Sequence, residues 1–345
     1  MSEPTIHDVA RQAGVSAATV SRALNGGLVK TQTRDRIKAV AKSMGYKSGA
    51  SSRKTTLSRS GSVGILVTDV GNFYFADLLK GLFSVAQGAG CRMVIDDLDG
   101  GDPDTVIKRM IAGTAGQVVI APRLDDDFLR RRFSPDNTVF VSKQLDGYMS
   151  ACADDRSGMT QAVRHLASLG HRRVAYVGGS DRSWTNTQRI NAFTDSVEEY
   201  GLESMVLGPF EPSYGGGVNA CDAVMLEQDL TGIVIFNDLM AAGLLSSLKE
   251  RGRKVPEDFS LIGIDNSVLS RAVRPSLTTV DVRQERLGAA AMRILIDMLR
   301  EFPASADPGA GKESDRIPER LVIPEILLTR GSTAPPSKNL DQGTI

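Results

Sequence analysis

Side chains that could carry bond-making chemistry are sparse in this chain. His7, His165 and His171 fall in helical or helix-end settings, and none has a second histidine at metal-ligand spacing. His171 follows Gly170 at a predicted helix C-terminus, where an imidazole can meet free carbonyls, so it reads as a cap. Cys91, Cys152 and Cys221 are too few and too scattered for a disulfide framework or a zinc cluster, and they point to a reducing compartment. There is no G-x-S-x-G elbow, no GxxxxGK[ST] and no GxGxxG at a strand–helix junction. The Gly215–Gly217 run lacks a preceding apolar strand and reads as a loop. Asp96–Asp97 and Asp154–Asp155 are adjacent pairs, which on a strand would face opposite ways. No catalytic constellation forms, so the sequence predicts a protein that is not an enzyme and that needs neither metal nor cofactor.

The residues that do form a pattern lie near the N-terminus. In IHDVARQAGVSAATVSRALNG (6–26), Ile6, Val9, Ala10 and Ala13 follow helical spacing, with Thr5 placed to cap and Asp8 in the first turn. Gly14 breaks that helix, and Ser16 can cap a second one running to about Leu24. A third helix carries Ile37, Val40, Ala41 and Met44 on one stripe and stops at Gly45. The first two helices and the AGVS turn make a helix-turn-helix pattern, closed inside by Val9, Ala10, Val15, Val20 and Leu24. Ala17, Ala18, Ser21, Arg22 and Asn25 fall within about 140° of one another at 3.6 residues per turn, a face that suits the DNA major groove. There Arg22 can bond a guanine bidentately and the alanines can pack on thymine methyls. Ser16, Thr19, Ser21 and Asn25 can hold phosphates, which set register without reading sequence.

Charge supports this division. The 345 residues hold 41 basic and 41 acidic side chains, a net of zero. Residues 1–60, however, carry eleven Lys or Arg against three Asp or Glu, and the remainder thirty against thirty-eight. A basic head on an acidic body is a footprint of nucleic-acid binding confined to one end. No apolar run reaches spanning length, because Asp69 and Asp238 interrupt the best candidates. The stretch MSEPTIHDVARQAG does not resemble a signal peptide, so a cytoplasmic location without membrane partners is expected.

Past the head, KSGASSRKTTLSRSG (47–61) is polar and basic and reads as a linker. Short β-rich runs then alternate with amphipathic segments. The runs are SVGILV, CRMVI, QVVIA and TVFVS, followed by RRVAYVGG, GIVIF, SLIGI and LTTVDV. The helical segments include Phe75–Gly88, Gly158–Leu169, Arg189–Tyr200, Met240–Arg251 and Arg283–Arg300. This rhythm predicts α/β architecture: doubly wound parallel sheets, covered by helices on both faces. More than 260 residues exceed one open sheet, so two similar lobes are expected. The predicted organisation is a head (1–46), a hinge (47–61), a two-lobed core (62–330) and a disordered tail (331–345), with 304–316 a surface loop. The tail shows no leucine heptads for a coiled coil.

The segment TIHDVARQAGVSAATVSRALNG resembles the N-terminal signature of the LacI/GalR family of bacterial transcription regulators. TDVGNFYFADLLKG, HLASLGHRRVAYVGG, FNDLMAAGLLSSLKERGRKVPEDFSLIGIDN and RPSLTTVDVRQERLG resemble further family segments in the same order. The resemblance implies an all-α helix-turn-helix head, a hinge and a core like a periplasmic binding protein of type I. It further implies a homodimer that grips a pseudo-palindromic double-stranded operator, usually to repress, under control of a small-molecule effector bound between the lobes.

Carried onto this sequence, the family's base readers fall on Ala17, Ala18 and Arg22, and Thr5, Tyr46 and Arg53 join the DNA-contacting set. The family's hinge leucine, which wedges into the minor groove, aligns with Thr55; Leu57 stands two residues later. The effector contacts map to Tyr74, Phe75, Thr185, Arg189, Phe210, Asn237 and Asp265, at strand carboxyl ends where such sheets bind ligands. Phe75 and Phe210 would stack on an apolar ring face, and Arg189 and Asp265 would bond hydroxyls or a polar edge. Arg189 reads as opening a helix, an unfavourable place for its charge; Asp265, in GIDN, could cap the next element or meet a ligand. Val282 replaces a glutamine of some sugar-responsive members, and Ser142–Lys143 replaces a common Asp–Arg pair. A hexose or pentose is the first expectation for the effector, with a polyol or a nucleoside-like base behind it. A solute-binding protein without a DNA role is the alternative; it would need a signal peptide and no basic head.

Overall fold

The computed structural model describes residues 6–16, 19, 20, 23, 31–44, 61–301 and 320–337. In the head, helix α1 (Ile6–Ala13) ends at Gly14, whose φ of 65° lets the chain turn so that Val15 N–H reaches back to the Ala10 carbonyl at 3.0 Å. Ser16 Oγ then accepts from Thr19 N–H at 3.2 Å, the capping role its position predicts. Helix α2 (Thr31–Ser43) lays Ile37 and Ala41 on Val9, Ala10, Ala13, Val20 and Ala23 in one small core. Thr5, Leu24, Gly45, the linker 47–60 and the loop 304–316 lie outside the described residues.

The first lobe begins with β1 (Ser62–Val67), α3 (Phe73–Ala89), β2 (Arg92–Asp97) and α4 (Pro103–Gly113). It continues with β3 (Gln117–Ile120), α5 (Asp126–Arg132), β4 (Thr138–Val141) and β5 (Met149–Ala153). The second runs through α6 (Asp155–Leu169), β6 (Arg173–Val177), α7 (Trp184–Glu199), β7 (Glu203–Leu207) and α8 (Tyr214–Leu226). Then come β8 (Gly232–Ile235), α9 (Asp238–Glu250), β9 (Ser260–Ile264), α10 (Val268–Ala272) and β10 (Thr278–Asp281). Helix α11 (Gln284–Glu301) returns to the first lobe, where Leu287, Met292 and Leu295 join its core. Strand β11 (Arg320–Ile323) pairs with β5, and β12 (Ile326–Leu328) closes the second sheet.

The two sheets have matching orders, β2-β1-β3-β4-β5-β11 and β7-β6-β8-β9-β10-β12. All pairings are parallel except β12 against β10. Central strands β1, β3, β4, β8 and β9 are buried along their whole length, as continuous apolar runs in two-faced parallel sheets require. Within the described residues the chain passes between lobes at three places: after β5, after β10, and between β11 and β12.

Three expectations need correction. The glycine run is not a loop but the first turn of α8, capped by Ser213 Oγ accepting from Gly216 N–H at 3.1 Å. Small residues there serve helix–helix packing: a Cβ on Gly217 would lie 1.9 Å from the Met240 carbonyl oxygen of α9. Nor are residues 331–337 a disordered tail. They continue the core beyond residue 330, with Ser332 fully buried, donating to Leu261 O at 2.6 Å and accepting from Thr278 N–H at 2.8 Å. His171 is not a helix cap either. Its ring meets Thr231 Oγ1 at 2.9 Å, Ser260 Oγ at 3.0 Å and the Ala334 carbonyl at 3.1 Å, which ties the strap down. Local pattern misled here because the partners of this C-terminal strap, residues 331–337, are 54 to 74 residues away.

Two predictions follow from these contacts. Gly217→Ala forces backbone apart between α8 and α9 and should destabilise the second lobe by about 1–3 kcal/mol in a denaturant melt. His165 and His171 are both held below the ordinary histidine pKa, chiefly by burial. The unfolded chain therefore binds more protons, so their stabilising contribution is complete above about pH 6.5 and is lost as pH falls below it. Tm measured from pH 7.5 to 5.5 should decline, and less steeply in His171→Gln; an equal slope in both would remove His171 from the explanation.

Candidate functional site

The carboxyl ends of both sheets open onto one cleft, beside the points where strand order reverses (β1/β3 and β6/β8). From the first lobe come Thr68, Asn72, Tyr74, Phe75, Ala121, Arg123 and Ser142. Ala153, Asp155, Ser183, Thr185, Arg189, Pro212, Phe236, Asn237, Asp265 and Val282 complete the lining. The free space is about 60 Å³, room for a few waters.

Helix caps place much of this lining. Asn72 Oδ1 accepts from Tyr74 N–H at 3.0 Å, Ser183 Oγ from Asn186 N–H at 3.2 Å, and Asn237 Oδ1 from Met240 N–H at 2.8 Å. Three strand-to-helix turns are thereby fixed: the first presents Tyr74 and Phe75 to the cleft, the second Thr185 and Arg189, and the third Asn237 itself. Tyr74 hydroxyl pairs with Ser142 Oγ at 2.8 Å, and burial pushes its phenol well above the ordinary value. Ser142, held at a φ of 53°, offers its carbonyl to Thr185 Oγ1 at 3.1 Å, a direct bond from one lobe to the other. Next to it, Lys143 pairs with Asp126 inside the first lobe rather than facing the cleft.

Arg189 is the electrostatic centre. Helix α7 starts at Trp184, so Arg189 does not open the helix; it stands in the second turn, pointing inward. Its Nε donates to Asp155 Oδ1 at 2.8 Å, its Nη1 to the Phe236 carbonyl at 2.6 Å, and its guanidinium lies 5.0 Å from the Phe236 ring centroid. Burial opposes its charge, but the carboxylates of Asp155, Glu325 and Asp265 outweigh that and hold it protonated. Asp154 and Asp155 are not on a strand: Asp154 caps α6, accepting from Ser157 N–H at 3.1 Å, and Asp155 is the first helical residue.

Asp265 lies on left-handed backbone at a φ of 116°, and its carbonyl accepts from the Gln284 amide. Its carboxylate accepts no hydrogen bond among the described residues, and it does not cap α10, whose N-cap is Ser267. Burial raises its pKa well above the carboxylate range against the pull of Arg189, with Asp238 and Asp155 adding to the rise. Behind it Asp238 is pushed up to about 7 by burial, although Thr279 Oγ1 and Ser267 N–H donate to it. Glu325, on the β11–β12 crossing, lies where a Cβ on Gly158 would be, and its Oε1 has no partner.

Six of the seven expected effector residues therefore meet in the cleft: Tyr74, Phe75, Thr185, Arg189, Asn237 and Asp265. Phe210 does not. It packs against the second lobe's core, and Phe236 occupies the aromatic position in the lining. Sequence reasoning passed over Asp155, Arg123 and Phe236; the signal for Phe236 was its place beside Asn237 at the end of GIVIF. In the head, Ser16 and Thr19 are joined by a 2.9 Å hydroxyl contact, and Ser16 is exposed. Thr5, Ala17, Ala18, Ser21, Arg22, Asn25, Tyr46, Arg53, Thr55 and Leu57 lie outside the described residues.

Comparison with known proteins turns on both parts of the chain. Residues 5–48 match the profile of bacterial regulatory proteins of the lacI family, and residues 163–333 that of a periplasmic binding protein-like domain. The HTH-type transcriptional regulator pepR1 of Lactobacillus delbrueckii subsp. lactis is 32% identical over 306 residues, 86% of this chain and 91% of that protein. The chain belongs to the lacI family of bacterial regulatory proteins. The HTH-type transcriptional repressor PurR of Mannheimia succiniciproducens is 29% identical, covering 92% of this chain and 97% of its own length. A LacI family transcriptional regulator from Enterococcus faecium, solved with bound ribose, superposes with a TM-score of 0.67 at 26% identity, over 79% of this chain and 99% of that one. As a lacI-family member the chain is a DNA-binding transcriptional regulator and not an enzyme. Among its described residues no helix is long and apolar enough to cross a membrane.

The buried pair gives a test of the site's architecture. Arg189→Met leaves Asp155 buried without its cation and should cost about 3–5 kcal/mol in a denaturant melt. Arg189→Met with Asp155→Leu should recover part of that loss; a double variant no better than the single one would mean that the pair is not the cause.

Proposed function

We propose that this regulator is a repressor that binds a pseudo-palindromic operator as a homodimer and is controlled by a small carbohydrate in the cleft between its lobes. The observation that carries the effector reading is the inter-lobe lining itself. Thr185 of the second lobe bonds the Ser142 carbonyl of the first, and buried Arg189 and Asp265 converge beside Tyr74 and Phe75. Aromatic edges with a few fixed polar groups suit a ring with an apolar face and a hydroxylated rim. The ribose in the Enterococcus faecium relative supports a sugar. Phe75 and Phe236, at 5% exposed and partly buried respectively, also leave a purine or nucleoside as the second reading.

Self-association is supported by corresponding edges of the two lobes. Edge strand β2 exposes Val94 and Ile95, and Phe83 of the helix packed beside it is 58% exposed. In the second lobe edge strand β7 exposes Val206, and Leu226 of α8 is 80% exposed. Apolar side chains gathered at matching edges form a face that water disfavours and a second copy would cover. Two heads held by such a core would meet two half-sites. The effector acts by linkage: an inducer binds the DNA-free arrangement more tightly, a corepressor the DNA-bound one.

Trp184 is the only tryptophan, and the Arg320 guanidinium of the first lobe lies 5.3 Å from its ring centroid, so its fluorescence reads the lobe junction. Titration with sugars, polyols and nucleosides should give a saturable change with one class, abolished in Arg189→Ala variants that remain folded. Silence across the panel, in fluorescence and in thermal shift, would remove the cleft reading. For the head, Arg22→Ala should weaken specific operator binding by about 1–3 kcal/mol and relax preference at one base pair. An unchanged preference at every position would show that Arg22 does not read a base.

A further inference from the structure

A second groove, of about 1020 Å³, is built on the same lobe-joining segments as the cleft but from other residues. Asp265 and Val282 line the cleft; their neighbours Asn266 and Arg283 line the groove, and Ile323 adds the third crossing. Arg271 comes from α10 of the second lobe, whereas Arg286 and Arg293 come from α11, which packs on the first. We propose that this groove is a second regulatory site, which takes a small molecule bearing two or more phosphoryl groups and couples it to the angle between the lobes. It does not depend on what occupies the cleft.

The lining is cationic and its charge is unspent. Among the described residues Arg271, Arg283, Arg286 and Arg293 make no ion pair. Arg283 Nε is buried without a hydrogen-bond partner. Three carboxylates share the groove. Asp77 is paired with Lys80, and Asp281 accepts from the Arg283 backbone N–H at 2.8 Å. Even with Asp281 and Glu285 counted in full, the arginines outnumber them two to one. Guanidinium forks without acceptors are matched by phosphoryl oxygens, which they bond in pairs.

The number of forks sets the class of ligand. Arg286 and Arg293 are seven residues apart on α11, so they share one face, about 10 Å apart along the axis. An orthophosphate has oxygens for about two bidentate forks; four forks call for two phosphoryl groups. The volume leaves room for a sugar or nucleoside between them.

The backbone supplies the coupling. Asp265, Asn266 and Arg283 are non-glycine residues on left-handed backbone, at φ of 116°, 54° and 54°. Such conformations persist where the surroundings over-determine them, and they gather at ligand sites. Here they sit where one residue faces the cleft and the next the groove. An anion held by Arg271 on one side and by Arg286 and Arg293 on the other ties the second lobe to α11 and opposes any change in lobe angle. Ligands of groove and cleft are thereby linked, each altering the affinity for the other by the same factor.

The test is calorimetry on the full chain at physiological salt, comparing pyrophosphate, glucose 1,6-bisphosphate and ADP with orthophosphate. Residues 1–60 are basic as well, so the reading is the binding that groove variants remove. Arg286→Gln and Arg293→Gln change exposed side chains and keep the fold, while Arg283→Gln removes the buried donor. A compound with two phosphoryl groups should saturate one site per chain, at least tenfold tighter than orthophosphate. The Arg286→Gln, Arg293→Gln double variant should weaken it tenfold or more. Affinity above that of pyrophosphate, for the bisphosphate or for ADP, tells a sugar ester from a nucleotide. Orthophosphate binding as tightly as the others overturns the ligand class. No saturable binding, or binding unchanged in the double variant and in Arg283→Gln, overturns the site. Trp184 emission, which reads the lobe junction, should shift with the same midpoint; unshifted emission at saturation overturns the coupling.

Discussion

A single buried guanidinium governs the architecture between the lobes. Arg189 has to be placed where burial would discharge or expel it, and only carboxylates drawn from several segments make that place tolerable. Asp155 begins the helix that follows the first crossing, Glu325 lies on the third, and Asp265 ends a central strand of the second sheet. One cation therefore binds together parts of the chain that sequence separates by more than a hundred residues. The same side chain fixes Phe236 through both its carbonyl and its ring, so the aromatic wall of the cleft and the electrostatic centre share one support.

How far this was legible depended on whether the signal was local. The central strands were plain from SVGILV, QVVIA, GIVIF and SLIGI, because two-faced burial writes itself as an uninterrupted apolar run. Edge strands β7 and β11 were not, because they are largely exposed, and the interior strand β5, MSACA, was hidden by its little β-branched character. Helix α8 was hidden by three consecutive glycines, which oppose helix formation locally but allow α9 to pack against its backbone.

The cleft was legible to the extent that strand ends could be located. Tyr74, Thr185, Arg189, Asn237 and Asp265 all follow strands that sequence pattern identifies, and all reach the lining. Phe210 follows β7, the strand with the weakest pattern, and it packs into a lobe instead. Asp155 was invisible because its role depends on a helix start that only the Asp154 cap defines. The ordered strap at 331–337 was likewise unreadable, since GSTAPPS has a composition usual for a loose end and its order comes from His171, Ser260 and Thr278.

The three crossings between lobes also bear on how the chain is made. The first sheet lacks an edge until β11, and its core is incomplete until α11, both of which follow almost all of the second lobe in sequence. The second sheet in turn waits for β12 and for the strap that fills in beside Ser260 and Leu261. Neither lobe can therefore finish folding during synthesis while the other is still to come. The last sixty or so residues complete both at once, as a chain emerging from the ribosome N-terminus first reaches them last. What resembles two domains in space is a single unit in the order of assembly, and only the helical head can close its core early.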